Sequence, residues 1–336
     1  MRFEFYSDAI ADVPKLSVDG TVDNAVHFSH WKGNHTPESV KADTSTETVL
    51  NVVAAPNRDE LTRSISLVTN NHFDTDGVLS VWTMLTGERA LDLHDRLIAA
   101  AEAGDFSELS SADGVRASIV IQGSDSPIDK SGSPLAALLA GRPVDDEAES
   151  YLLVLPQVQD VIANTRKYEP LWRDSWQRIE RALDSFAKGA STVEEFTDVD
   201  LSLVTLAREA FGPNGFDPAR DAAPFTAVSK HAQGTLFLIA TQLNGGWAYR
   251  LDYPYYSWAE TVVRPPVRRR DLTLLLERLN ELETSDAGKW EADAAELASA
   301  AKFQAHGSLR SSELPPDEVV SQIRQLFSES PATAGF

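Results

Sequence analysis

Runs of hydrophobic positions divide the first half of the chain into predicted strands and helices. A short β-branched run at 64–69, SISLVT, predicts a buried strand. The apolar positions at 78–85 predict a buried helix, and a second helix is predicted over 88–103, ending at Gly104. A further strand is predicted over 115–122. Strand, helices and strand in this order indicate a βαβ arrangement and a mostly parallel sheet.

The hydrophobic pattern changes outside this region. Residues 1–47 show too little periodicity to predict an element. A segment rich in Gly, Ser, Pro and Asp at 123–143 predicts a long loop or domain junction. Beyond it the predicted elements are helices at 145–163, 171–187, 271–283, 289–303 and 316–327, and strands at 235–243, 247–253 and 255–263. The first two of these strands flank Asn-Gly-Gly, which predicts a β-hairpin.

The sequence therefore predicts an α/β protein. Its N-terminal half would hold a mostly parallel sheet, and its C-terminal half would be a helix-rich α+β region that carries the β-hairpin. The predicted domains are 1–143, with the candidate site, and 144–336. The pattern leaves open whether the second region packs on the first as one unit.

The composition of the chain limits the classes of partner that the protein is expected to bind. Of the 336 residues, 42% are hydrophobic, and 51 acidic against 30 basic residues give a net charge of −21. Such a surface repels a phosphate backbone and anionic lipids, so we expect no broad nucleic-acid binding and no membrane binding. The absence of cysteine excludes disulfides and thiolate metal sites. No apolar run is long enough for a signal peptide or a membrane span, so we expect a cytoplasmic protein.

The polar run NNHFDTDG at 70–77 is the strongest candidate for chemistry. Ligands of open α/β sheets bind beyond the carboxyl ends of strands, and this run follows a predicted strand. His72, Asp74 and Asp76 alternate, so an extended backbone would point all three to one side. An imidazole and two carboxylates form a partial shell for Mn²⁺, Mg²⁺, Fe²⁺ or Zn²⁺. Asn70 and Asn71 are placed to orient ligands or to contact a substrate.

Two other interpretations fit the same residues. The spacing matches the first half of an EF-hand calcium loop, but His72 stands at position one and Thr83 stands where the loop needs glutamate. Alternatively, Asp74 and Asp76 cap the following helix while the two asparagines turn the chain. A metal site and a helix cap remain the open alternatives.

Further candidate residues lie elsewhere in the first half. Five of the seven histidines lie within the first 94 residues. The loop at 27–35 offers His27 and His30 as general bases or as a second ligand. A metal site at a strand end usually needs acids from neighbouring elements, and Asp105 and Asp125 are the candidates for this role.

A basic cluster, VVRPPVRRR at 262–270, stands out in this acidic sequence. It leads into a helix predicted from Asp271, and backbone N–H groups at a helix start favour an anion. Arg264 and Arg268 are therefore predicted to bind a phosphate or carboxylate of the substrate. Internal salt bridges are the alternative.

Residues 69–80, TNNHFDTDGVLS, resemble the first motif of the DHH-type phosphoesterases. In that superfamily a strand delivers His-x-Asp-x-Asp-Gly to a Mn²⁺-type centre and a helix follows. The resemblance implies metal-ligand roles for His72, Asp74 and Asp76. It covers about twelve residues, and the Asp-His-His triplet that names the superfamily does not occur in the chain. The whole chain is also similar to an uncharacterised bacterial family.

These observations favour a metal-dependent hydrolase that acts on a phosphoester or another small anionic substrate. A divalent metal, Mn²⁺ before the others, would activate the attacking water. GxGxxG, Walker A, HExxH, GxSxG and CxxC motifs are all absent, which disfavours the enzyme classes built on them. Two alternatives stay open: a non-catalytic binding protein with a degenerate phosphoesterase-like site, and a metal-dependent biosynthetic enzyme such as an isomerase or lyase.

Overall fold

The computed structural model describes residues 1–124, 132–243, 245–293 and 298–329. The chain divides into two compact units, of which the first comprises Met1–Trp176 and Trp258–Pro265 and the second Gln177–Ser257 and Pro266–Phe336. A parallel sheet lies in the N-terminal region, and helices with a mixed sheet form the C-terminal half, which confirms the predicted fold class. The domain boundary at 143 stays a prediction.

The first unit is built on a four-stranded parallel sheet in the order β1–β4–β2–β3. The strands are β1 (Arg2–Phe3), β2 (Lys15–Val18), β3 (Ala25–Phe28) and β4 (Leu67–Thr69). Leu16 is paired with Val68, and Val18 with Phe28. All four side chains are buried, as is usual for parallel strands covered on both faces. Because these strands are parallel, the loops that follow β2, β3 and β4 meet at one edge.

The first unit also contains helices. They are α1 (Ser45–Ala54), α2 (Arg58–Leu61), α3 (Thr75–Thr86), α4 (His94–Phe106), α5 (Ala112–Gln122), α6 (Pro134–Ala140), α7 (Glu147–Val154) and α8 (Val158–Ala163), while α9 (Glu169–Ala187) begins in the first unit and ends in the second. The helices predicted at 78–85 and 171–187 are confirmed as α3 and α9. The helix predicted at 145–163 is interrupted by a 3-10 turn at Leu155–Gln157, where Pro156 lacks the N–H that an α-helix needs.

Two predictions for the first unit differ from the structure. The residues at 115–122 form helix α5 and not a strand; Ser111 caps its start, and Gly123 ends it with a left-handed φ of 94°. Nearly every side of α5 is buried, and a short apolar run does not distinguish a buried strand from a buried helix. The helix predicted from 88 is confirmed in part: Gly87–Leu93 form a 3-10 helix, and α4 begins at His94 and continues past Gly104 to Phe106.

The second unit contains a seven-stranded mixed sheet with the path β11–β10–β8–β7–β6–β5, in which β9 also pairs with β10. The strands are β5 (Thr192–Phe196), β6 (Leu201–Leu206), β7 (Leu236–Leu243), β8 (Gly246–Asp252), β9 (Lys289–Ala292), β10 (Ser299–Ala305) and β11 (Ser308–Leu309); the helices are α10 (Phe225–His231), α11 (Thr273–Leu282) and α12 (Pro316–Glu329). Only β6 and β7 are paired in parallel among these described strands. The predicted hairpin is confirmed as β7–β8; its turn residue Asn244 lies outside the described residues.

The helix predicted at 289–303 is wrong, because the described residues of this stretch form β9 and β10. Its alanines favour a helix, but β10 pairs with both β8 and β9, and this pairing outweighs the local preference. The strand predicted at 255–263 is also wrong, since these residues form turns and bends.

Candidate metal centre

The candidate metal centre lies at the carboxyl edge of the parallel sheet. Asp19 directly follows β2, and His30 is the second residue after β3. From the end of β4 the chain runs through His72 to the start of α3. Asp105 comes from the last turn of α4. The parallel register therefore brings together side chains that are distant in sequence, at the edge where open α/β sheets bind ligands.

One set of side chains forms a buried cluster, which we call the inner group: Asp19, His30, Asp76 and Asp105. Each offers one ligand atom, and these atoms all lie within 4.8 Å of one another. From His30 Nε2 the distances are 3.1 Å to Asp105, 3.5 Å to Asp19 and 3.8 Å to Asp76. No member is more than 4% exposed. Three buried carboxylates around one imidazole are costly unless a cation shares the space.

The orientation of His30 leaves a lone pair aimed at these carboxylates. Its Nδ1 lies 2.7 Å from the backbone carbonyl of Asp43, and because a carbonyl only accepts, Nδ1 carries the proton. Nε2 is then an acceptor in the neutral ring. It lies 3.1 Å from Asp105 Oδ2, and neither atom has a hydrogen-bond partner among the described residues. Two opposed acceptors at this distance need a proton or a metal ion between them.

Burial and mutual charge change how the inner group titrates. Burial, with the charge of Asp19, raises the pKa of Asp76 to about 6. Burial, followed by the charges of Asp74 and Asp76, raises the pKa of Asp105 well above its usual value. Burial alone would lower the pKa of His30, but the adjoining Asp105 carboxylate raises it to about 10. The metal-free group therefore holds protons at neutral pH, which a divalent cation would displace.

The N-terminus of helix α1 binds the carboxylate of Asp76. The backbone N–H groups of Ser45 and Thr46 donate to the two oxygens of Asp76 at 2.7 and 2.8 Å. The hydroxyl of Ser45 donates to Asp19 Oδ1 at 2.9 Å, so this serine connects two acids of the inner group. Thr44 caps the same helix end. The positive end of the helix dipole thus faces the acids and partly offsets their burial.

A second cluster, which we call the outer group, consists of Asp19, His72 and Asp74. His72 Nε2 lies 2.8 Å from Asp19 Oδ2 and 3.1 Å from Asp74 Oδ2. The other ring nitrogen, Nδ1, lies 3.0 Å from Asn71 Oδ1. The side chains of His72 and Asp74 are 26% and 27% exposed, so solvent reaches the outer group but not the inner one.

Asp19 belongs to both groups and was not among the predicted site residues. Its φ of 66° is left-handed, a conformation that costs a non-glycine residue about 1–3 kcal/mol. The N–H of Asp19 donates to the carbonyl of Phe28 at 3.0 Å, and Ser29 Oγ donates to the carbonyl of Asp19. Asp19 followed by Gly20 resembles an ordinary turn in the sequence, because its role depends on residues brought in by the fold.

Asp74 is a helix cap and also belongs to the outer group, so the cap interpretation holds and the ligand role stays a prediction. Its Oδ1 accepts from the N–H of Gly77 at 2.7 Å and caps α3, while its Oδ2 faces His72. Asp76 lies one residue inside α3 and belongs to the inner group. The alternating residues therefore do not point to one side as predicted, because the helix starts between Asp74 and Asp76. Asn71 contacts His72 through its side chain, and its predicted substrate contact stays a prediction.

The structure separates His27 from His30. His27 Nε2 lies 2.9 Å from the carbonyl of Val22, and its Nδ1 accepts the N–H of His35 at 3.3 Å. Both ring nitrogens therefore have hydrogen-bond partners in the loops before and after β3, and His27 belongs to neither group. His30 is buried among the carboxylates of the inner group, and the general-base role predicted for it stays a prediction. Asp125 lies outside the described residues.

Arg264 is bound by the protein itself, which corrects its predicted role as an anion receptor. Its guanidinium contacts three carboxylates, those of Asp43 and Glu102 at 2.7 Å and that of Glu108 at 2.5 Å. Arg264 therefore forms internal salt bridges, which was the alternative interpretation of the basic cluster. Arg268 lies exposed in the second unit, and its predicted substrate contact stays a prediction.

Fold and site together define a mixed α/β protein with a buried Asp/His group that can bind a metal ion. The chain belongs to a family of unknown function, DUF6687, whose model matches residues 1–334. No curated protein matches the sequence. Across the residues that the structure describes, no helix combines the length and the apolar character needed to cross a membrane.

Proposed function

We propose that this protein is a metal-dependent hydrolase whose centre is formed by the inner and outer groups, and whose substrate is a phosphoester or another small anion. The observation that carries the proposal is the opposed pair of acceptors, His30 Nε2 and Asp105 Oδ2, 3.1 Å apart and without hydrogen-bond partners in the described part of the chain. The resemblance of residues 69–80 to a phosphoesterase motif supports hydrolysis.

The ligand set suits a divalent ion that accepts nitrogen and carboxylate oxygen, with Mn²⁺ as the first choice. When bound, such an ion acts as a Lewis acid and lowers the pKa of a coordinated water. His30 and Asp105 would hold an ion in the inner group, and His72 and Asp74 would hold one in the outer group. Asp19 offers one oxygen to each, since its Oδ1 faces His30 and its Oδ2 faces His72.

The outer group is where a substrate can enter. Its His72 and Asp74 side chains are about one quarter exposed, whereas the inner group is closed to solvent. Asn71 holds the His72 ring through Nδ1, which keeps Nε2 directed at the two carboxylates. The Trp31 ring lies edge-on to His72 with centroids 5.4 Å apart and shields one side of the imidazole.

The substitution Asp74→Asn tests the proposal without disturbing the helix cap, because asparagine caps helices as well as aspartate does. Asp146→Asn is the matched control: Asp146 caps α7 through the N–H of Glu149 at 3.1 Å and belongs to neither group. We expect the purified wild-type chain to take up Mn²⁺ and to hydrolyse at least one compound in a panel of phosphomonoesters and phosphodiesters. Asp74→Asn should lower turnover by more than about 100-fold, and Asp146→Asn should leave it unchanged.

Two results would contradict the proposal. A wild-type chain that binds none of Mn²⁺, Mg²⁺, Fe²⁺ and Zn²⁺ after dialysis refutes the metal centre. Metal uptake without turnover of any phosphoester refutes this hydrolase activity and favours the non-catalytic binding protein or the isomerase or lyase.

A further inference from the structure

A fully buried tyrosine that belongs to neither group is hydrogen-bonded to the outer group. Tyr151 lies in α7 and is 0% exposed. Its hydroxyl donates to the backbone carbonyl of His72 at 3.0 Å and accepts from the side-chain amide of Asn70 at 2.9 Å. The hydroxyl has one hydrogen to donate, and the carbonyl takes it. Its orientation is therefore fixed by the two partners.

Asn70 connects this hydroxyl to Asp19. Its Oδ1 accepts the N–H of Gly20 at 3.0 Å and that of Asn71 at 2.7 Å. Its Nδ2, which donates to Tyr151, lies 3.5 Å from Asp19 Oδ2. One amide thus links the loop after β2, which carries Asp19, to the loop after β4. These two loops supply the opposed ligand atoms of the outer group.

Close packing at Gly77 keeps this arrangement compact. A Cβ added at Gly77 would lie 2.7 Å from the hydroxyl oxygen of Tyr151 and 3.0 Å from Asp19 Oδ2. The first turn of α3 therefore approaches the tyrosine and the aspartate as closely as a backbone without a side chain allows. Neither the Tyr151 hydroxyl nor the Asp19 carboxylate has room to move toward the helix.

The ring of Tyr151 has a separate packing role. Its centroid lies 4.7 Å from that of Phe3, 5.8 Å from that of Phe5 and 5.2 Å from that of Phe73. Phenylalanine at this position keeps these ring contacts and loses only the hydroxyl. Tyr151→Phe therefore separates the hydrogen bonds of the residue from its contribution to the core.

We infer that Tyr151 and Asn70 are positioning residues that hold His72 against Asp19 and thereby set the metal affinity of the outer group. The ligand atoms of His72 and Asp19 are 2.8 Å apart, and this distance depends on the loops that the amide and the hydroxyl join. The inference rests on the proposed function, because it requires that the two groups bind metal. Mutation of residues that orient metal ligands through hydrogen bonds typically lowers metal affinity by about 10- to 100-fold.

The test is a calorimetric titration of Mn²⁺ into the metal-free full chain, comparing the wild type, Tyr151→Phe and Tyr168→Phe. Tyr168 is the matched control, because its hydroxyl donates to Asp160 at 3.0 Å and contacts neither group. We expect two binding steps in the wild type and in Tyr168→Phe. In Tyr151→Phe one step should keep its affinity, and the other should weaken by about 10- to 100-fold.

The outcomes separate the two claims. Two binding steps of wild-type affinity in Tyr151→Phe overturn the inference and leave the proposed function standing. Equal weakening of both steps also overturns it, because that result indicates a general loss of packing. A single step in the wild type overturns it as well, whereas a wild type that binds no divalent ion removes the proposed function itself.

Discussion

Raising the pH of the metal-free protein from 6.5 to 10 should remove the proton that lies between His30 and Asp105. Burial lowers the pKa of His30, but the Asp105 carboxylate raises it more, to about 10 in the folded chain from an ordinary value of 6.5. A group whose pKa is higher in the folded state stabilises the fold fully below its unfolded value. It loses that contribution as the pH rises through the folded value. The free energy of unfolding should therefore fall across this pH window.

The magnitude follows from the difference between the two pKa values. They differ by about 3.5, and each unit corresponds to about 1.4 kcal/mol, so the upper limit is about 5 kcal/mol. Rearrangement of the buried carboxylates once the proton has left reduces this figure. We expect a loss of about 2–5 kcal/mol in the free energy of unfolding, which is a large part of the stability of an ordinary domain.

The substitution Asp105→Asn removes the need for the proton, because the asparagine amide donates directly to His30 Nε2. Urea denaturation in the presence of a chelator, repeated across the pH window, should show a much shallower fall for Asp105→Asn than for the wild type. Asp95→Asn is the control, since Asp95 lies on the same helix with its side chain 99% exposed. Equal slopes for the wild type and Asp105→Asn would refute the shared proton, and so would a wild type that gains stability as the pH rises.

Four further predictions concern the metal centre and the residues that surround it. Asp19→Asn should abolish both steps of Mn²⁺ binding in calorimetry, because its two oxygens face the two groups; loss of one step alone would contradict its shared role. Arg264→Ala should lower the free energy of unfolding in urea by about 3–5 kcal/mol, because it leaves three carboxylates without their cation. The exposed Arg268→Ala should change it by less than about 0.5 kcal/mol, and similar effects of the two would argue against the network. Gly77→Ala should weaken Mn²⁺ binding, since the new Cβ would clash with the side-chain amide of Asn70 and lie 2.7 Å from the Tyr151 hydroxyl; wild-type affinity would show that the amide and the hydroxyl are not needed in these places. Mn²⁺ binding near neutral pH should release protons, so that the measured enthalpy differs between buffers of different ionisation enthalpy; equal enthalpies would show that no proton leaves.

The run at 70–77 could be predicted from the sequence, whereas the residues that the fold brings beside it could not. A buried β-branched run followed by NNHFDTDG predicts a strand end with polar side chains, and both features depend only on local residues. His72 and Asp74 lie in the outer group and Asp76 lies in the inner group, because α3 begins at Thr75 and turns Asp76 toward α1. The ligand roles of the three residues stay predictions. Asp19 was not found because its neighbours in space, apart from Gly20 and the loop after β3, come from distant parts of the chain.

The difference between local pattern and contacts made only in the folded chain also explains the errors in the predicted elements. Strands β1 to β3 are only two to four residues long, so they are too short to show a period. Helix α5 is buried on nearly every side, which removes the pattern that distinguishes a helix from a strand. In β10 the alanines favour a helix, and the pairing with β8 and β9 outweighs that local preference. Long amphipathic helices such as α9 and α12 have a polar face, and these were predicted correctly.

The charge of the centre connects its stability to its metal binding. Acidic side chains of the inner group are buried at the sheet edge, and Arg264 is already committed to three other carboxylates. The opposed acceptors of His30 and Asp105 can be reconciled by a proton when the centre is metal-free and by a divalent ion when it is loaded. A ligand stabilises the fold by about 2.7 kcal/mol at one hundred times its Kd, and a metal that replaces a proton binds more tightly as the pH rises. The loaded protein should therefore keep, at alkaline pH, the stability that the metal-free protein loses.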